Sequence, residues 1–241
     1  MNKAELKVVV ADQRRTFLTR GEYVPRDIDF QKLISVKETV IISGVRRAGK
    51  STLLRIIADS LLKTVSQENI FYLNFDDERL VSFSIDNFNH LLEIFLEKCG
   101  KGKHFFFLDE VQNVSHWEKW VNRLSEQEKI KVFVTGSNAS LLSSEIATSL
   151  TGRNMTVELF PFSFREFLRL RKRPVGELDT REKVQLHRYF LEYIKLGSFP
   201  QVIMSRNKEF LKNYFSDILY KDIIARYSLR DVKEIKELAV Y

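Results

Sequence analysis

A short apolar run over residues 39–43 ends at Gly44 and, five residues later, enters a helix-like segment at Gly49-Lys50-Ser51. This stretch constrains the fold more than any other in the chain. Gly44, Gly49, Lys50 and Ser51 fit G-x-x-x-x-G-K-[ST], with Val45, Arg46, Arg47 and Ala48 between the glycines and Thr52 behind them. The spacing has a physical reason. Backbone N–H groups must converge on one phosphate, and glycine permits both the dihedrals and the close approach. A helix starting near Gly49 adds the positive end of its dipole. In such a loop Lys50 reaches the β- and γ-phosphates and the Ser51 hydroxyl binds Mg2+. ATP and Mg2+ are the expected ligands.

A second nucleotide motif is expected where an apolar strand ends in acids. Residues 104–110 supply it: His-Phe-Phe-Phe-Leu-Asp-Glu. Asp109 would hold Mg2+ mostly through water, because Mg2+ keeps part of its shell. Glu110 would act as general base on the attacking water. After the next strand, Thr135, Ser137 and Asn138 offer polar side chains beside the γ-phosphate; Asn138 or Ser137 would orient the water, and the sequence does not choose between them. Arg153 precedes the fifth strand and is a candidate for an arginine reaching a neighbouring subunit's γ-phosphate, which implies a homo-oligomer. Pro25 is read either as a plain turn or as packing on the base.

Strand and helix patterns alternate along residues 39–159. Apolar runs at 39–43, 70–75, 104–110, 131–135 and 156–159 read as strands, and helical spacing fills residues 49–64, 85–99 and about 117–124, with a short helix at about 140–149. The nearly continuous apolar run before Asp109 is what burial on both faces of a parallel sheet requires. The fold class is α/β, a P-loop NTPase with a five-stranded, mostly parallel sheet flanked by helices. After Pro161 the character changes, and residues 162–170, 180–196, 208–227 and 231–241 read as helices broken at Gly197-Ser198-Phe199-Pro200. Three parts are expected: residues 1–35 packing on the nucleotide site, a core over 36–161, and a helical lid with the start of a further domain over 162–241. The last helical pattern has no stop signal, so a longer protein is expected.

Composition sets outer limits. With 44% hydrophobic residues and 19 Phe in 241 residues, a globular chain with an aromatic core is expected. The single cysteine, Cys99, excludes a disulfide within the chain. The start lacks a signal-peptide apolar region and no run of 18 apolar residues occurs, so no membrane span is expected and the cytoplasm is the default compartment. The net charge of +7 suits DNA phosphates, and equally nucleotide phosphates alone. The four histidines show no metal-ligand spacing.

The segments GVRRAGKSTLL, YLNFDDERL, FFFLDEVQ, VFVTGSNASLLSSEIATSLTGR and ELFPFSFREFL, in this order, resemble the prokaryotic AAA+ superfamily ATPases that carry an additional C-terminal domain. The resemblance covers about residues 24–241. It implies a five-stranded AAA+ core with a helical or winged lid, ATP and Mg2+ binding, Walker A at Gly44 to Ser51, Walker B at Asp109 and Glu110, and a first sensor around Ser137 and Asn138. Ser198 departs from the family's Gly-Gly-aromatic-Pro element at its second glycine. The leading expectation is an ATP-hydrolysing switch or motor. The alternatives are a nucleotide-gated DNA-binding module of the replication-initiator type and a P-loop small-molecule kinase; Glu110 argues against the kinase, which needs no acid to activate water.

Overall fold

The computed structural model describes residues 1–136, 154–173, 179–224, 229 and 231–240, and they form two compact units. The first comprises Met1–Tyr23, Ile28–Gly44 and Lys50–Leu159; the second comprises Val24–Asp27, Val45–Gly49 and Phe160–Tyr241.

The first unit is built on a five-stranded sheet. Its strands are β1 (Thr39–Ser43), β2 (Ile70–Asn74), β3 (Phe105–Asp109), β4 (Lys131–Gly136) and β5 (Asn154–Glu158), all paired in parallel in the order β2-β3-β4-β1-β5. One strand, β4, therefore separates the strand feeding the phosphate loop from the strand ending in Asp109. Side chains alternate between the two faces. Ile41, Phe71, Leu73, Phe106, Leu108, Val132 and Val134 pack on one face with α4 (Phe88–Leu96) and α5 (Trp117–Glu126). Val40, Ile42, Tyr72, Phe105, Phe107 and Phe133 face the other way, against Leu53, Leu54 and Ile57 of α3 (Lys50–Leu61). Burial on both faces explains the unbroken apolar runs of β1 and β3.

The edge strand β2 is sealed by α1 (Lys3–Phe17). Leu6, Val9 and Val10 enter the core on one face of the sheet and Phe17 enters it on the other, so α1 crosses the edge. Its polar residues take over the hydrogen bonds that a sixth strand would make. The Gln13 side chain accepts from the Asn74 N–H at 2.6 Å and donates to the Asn74 carbonyl at 3.1 Å, and Arg14 donates to the Ile70 carbonyl at 2.8 Å. The exposed Lys3 and Lys7 pairs with Glu93 and Glu97 add little, because water screens them. The short α2 (Phe30–Ser35) leads into β1.

In the second unit, α6 (Phe164–Leu170), α7 (Thr180–Leu196), α8 (Pro200–Ser205), α9 (Glu209–Asp217) and α10 (Val232–Val240) follow in order. Phe162, Phe167, Leu168, Leu196 and Ile203 form its core, with Val24 packed on them. Gly197 ends α7 at φ 80°, ψ −176°, a positive-φ extended conformation that glycine adopts readily. Ser198 is not among the residues with positive φ, so its position makes no backbone demand for a second glycine; its carbonyl accepts from Phe162 N–H at 2.8 Å. The helix expected over residues 208–227 is broken: α9 stops at Asp217 and a π-helix runs from Ile218 to Ile224. β5 begins earlier than its apolar run suggested. It is an edge strand, and its first two residues, the half-buried Asn154 and Met155, lie before the run read as a strand.

Gln13→Ala leaves the Asn74 edge groups unpaired and should lower unfolding stability by about 1–2 kcal/mol, read as a lower urea midpoint at constant slope. An unchanged midpoint would mean that the edge is satisfied otherwise. Lys131 donates to the carbonyls of Val36 at 2.7 Å and Glu38 at 2.5 Å, and burial pushes its ammonium down to about 8 from 10.5. Between those values the unfolded chain holds the extra proton, so this group's contribution to stability rises with pH. The stability difference between the parent and Lys131→Gln should therefore grow in the parent's favour from pH 8 to 10.5; a flat difference contradicts it.

Candidate functional site

The phosphate loop begins where β1 ends. Gly44 has φ 152°, and a Cβ there would lie 2.3 Å from the Leu159 carbonyl oxygen, so a side chain is excluded by the backbone that continues β5. The Leu159 N–H donates to the Ser43 carbonyl at 2.7 Å. The loop then folds through Arg47 at φ 66° and Gly49 at φ 100°, and α3 starts at Lys50. The Lys50 side chain is only 4% exposed. Its ammonium donates to the Gly44 carbonyl at 3.1 Å and lies 3.8 Å from a carboxylate oxygen of Glu110. A lysine is rarely this buried unless it is paired.

The acids come from the face that α3 covers. Asp109 has the same parity along β3 as Phe105 and Phe107, so its carboxylate lies on their side of the sheet, and it is 1% exposed. Tyr72 donates to Asp109 Oδ2 at 3.0 Å, and the Thr135 hydroxyl donates to Asp109 Oδ1. Burial, and then the Asp109 charge, hold the Tyr72 phenol well above its usual value, so it remains a donor. Glu110 sits in the left-handed region at φ 52°, ψ 43°, uncommon for a residue with a side chain. Its N–H donates to Thr135 Oγ1 at 3.1 Å, and Gln112 Nε2 donates to its Oε2 at 2.6 Å. Thr135 thus links both acids.

In the second unit the loop residues 45–49 meet the segment 24–27. The Arg26 guanidinium donates to Ala48 O at 3.0 Å, to Phe160 O at 2.6 Å and to Glu166 at 2.8 Å. Glu166 also accepts from the N–H groups of Asp27 at 2.7 Å and Ser163 at 2.8 Å. Both charged side chains are nearly buried, at 6% and 4% exposure. Pro25 lies in the same segment, where its carbonyl accepts from Arg169 at 3.1 Å. Arg46 pairs with Asp222 of the π-helix at 2.9 Å, and the Arg47 guanidinium lies over the Tyr214 ring at 5.6 Å.

Lys50, Asp109 and Glu110 are thus brought together, whereas Ser137, Asn138 and Arg153 lie outside the described residues. Sequence reading singled out neither Tyr72 nor Arg26. The signal for Tyr72 was its parity: β2 pairs with β3 through Tyr72↔Phe107, which puts it on the Asp109 face. Arg26 gave no local signal, since its partners lie up to 140 residues away. Among the described residues no group of three or more His, Cys, Asp or Glu forms a metal cluster. Asp109 and the exposed Ser51, in the first turn of α3, are hard oxygen donors, few in number, and that suits magnesium, which keeps most of its water.

Arg26→Ala should cost about 3–5 kcal/mol of stability, because it strands Glu166 as a buried unpaired charge. Arg26→Ala, Glu166→Ala and the double variant should be strongly non-additive in urea unfolding; additive losses would deny the coupling.

The AAA domain family model matches residues 36–168, more than half of the chain, and the chain belongs to that family. An uncharacterized protein of Methanocaldococcus jannaschii is 42% identical over 91% of this chain and 49% of its own length. An uncharacterized protein of Haemophilus influenzae is 35% identical over 90% of this chain and 55% of its own. The chain spans about half the length of these relatives. Among solved structures, that of Saccharomyces cerevisiae RIF2 is similar at 15% identity, with a TM-score of 0.43 over 81% of this chain and 78% of that one. No helix among the described residues is long and apolar enough to cross a membrane.

Proposed function

We propose that this AAA domain binds ATP with Mg2+ and hydrolyses it, acting as a nucleotide-driven switch or motor domain. The observation that carries the reading is the buried Lys50 ammonium, bonded to the Gly44 carbonyl and 3.8 Å from Glu110. A buried cation at the first turn of a helix, behind a glycine-bounded loop, favours a phosphate group over any neutral ligand.

Each residue has a role in this reading. Backbone N–H groups of residues 44–52 cradle the phosphates and Lys50 neutralises their charge. Bound magnesium supplies further charge neutralisation at the phosphates, held by Ser51 and by Asp109 through its water shell. Glu110 takes the proton of the attacking water. Gln112 fixes one of its carboxylate oxygens and Lys50 lies close to the other. Asn138 or Ser137 orients the water, and Arg153 serves a neighbouring copy's site in a homo-oligomer.

Lys50→Ala should weaken ATP binding at least tenfold, about 1.4 kcal/mol, in calorimetry. Glu110→Gln should keep ATP affinity while phosphate release falls on the order of a hundredfold. A Glu110→Gln chain with normal turnover would place the base elsewhere, and equal ATP affinity in Lys50→Ala would remove the reading itself.

A further inference from the structure

Tyr72 is 6% exposed on an apolar sheet face, where phenylalanine would fill nearly the same space. A hydroxyl buried there is costly unless it is bonded, and its bond is to Asp109. The ring is clamped as well. Phe17, near the C-terminal end of α1, stacks on it with centroids 3.9 Å apart and planes 6° apart. Phe17 is itself held against Phe107 at 5.5 Å and under the Arg55 guanidinium at 5.8 Å. Tyr72 and Phe17 both lie outside the phosphate loop and the acid-terminated strand, and Phe17 precedes the region matched by the family model.

The geometry points to a positioning relay: Phe17 fixes the Tyr72 ring, Tyr72 with Thr135 fixes the Asp109 carboxylate, and that carboxylate is thereby set for its metal. One donor on each carboxylate oxygen, Tyr72 on Oδ2 and Thr135 on Oδ1, opposes rotation of the group. Each oxygen keeps a lone pair for the water shell of a magnesium ion. The donors come from β2 and β4, the two neighbours of β3, so the sheet register sets the aim. The helix that seals the sheet edge is then also a support of the metal site. Tyr72 is a positioning residue: it acts through Asp109.

The inference rests on the nucleotide and metal reading above, and its test separates the two. ATP affinity is measured by calorimetry in EDTA and over a Mg2+ series, and Mn2+ binding in the presence of ATP by electron paramagnetic resonance. The parent is compared with Tyr72→Phe, Phe17→Leu and the double variant, with circular dichroism melting as the check of folding. Tyr72→Phe should leave metal-free ATP affinity within about twofold and weaken metal binding roughly tenfold, the scale of lost support behind a metal ligand. Phe17→Leu should weaken metal binding in the parent and add nothing to Tyr72→Phe. Unchanged or tighter metal binding in a folded Tyr72→Phe overturns the inference alone. An equal effect of Phe17→Leu in both backgrounds removes Phe17 from the relay. A parent that takes up neither ATP nor Mn2+ overturns the nucleotide reading and this inference with it.

Discussion

The buried ammonium of Lys50 is the constraint around which the first unit is arranged. A charge at 4% exposure is stable only where partners are fixed for it. Among the described residues the Gly44 carbonyl and the Glu110 carboxylate serve this end. The first requires a loop that turns back on its own helix, which needs glycine dihedrals at 44 and 49. The second requires that β3 end beside the start of α3, although β4 lies between β3 and β1. A parallel sheet with helices on both faces meets both demands, since every strand delivers its C-terminal end to the same edge.

The same edge explains the polar residues that interrupt an otherwise aromatic core. Tyr72, Asp109 and Thr135 lie on three adjacent strands, and Asp109 accepts a hydrogen bond from each of the other two. A fully satisfied network of this kind rigidifies its members, whereas a partly satisfied one would destabilise the sheet. Asp109 is thereby tied to β2 and β4, and through Tyr72 and Phe17 to α1. The second unit shows a parallel solution in Arg26, whose three hydrogen bonds join Ala48 of the loop to Phe160 and Glu166.

The sequence made the local features legible and hid the long-range ones. The phosphate loop and the acids at 109 and 110 are short contiguous patterns with a physical spacing rule, and strands buried on both faces advertise themselves by unbroken apolar runs. β5 was shifted because an edge strand need not be apolar throughout. The π-helix from Ile218 to Ile224 was missed because helical spacing does not distinguish it from a continued α-helix. Arg26 and Tyr72 looked like ordinary basic and aromatic residues; what distinguishes them is a partner 140 or 37 residues away. Strand register would have found Tyr72, since it shares a face with Asp109, but nothing local would have found Arg26.

Hydrogen–deuterium exchange of the parent chain, with and without ATP and Mg2+, tests most directly whether Lys50 and its loop hold a phosphate. Backbone amides that bind phosphate lose exchange when it is present. Exchange should slow chiefly in residues 44–52, with a smaller effect at the end of β3. Unchanged exchange across residues 44–52 at saturating ATP and Mg2+, or protection confined to residues elsewhere, would contradict it.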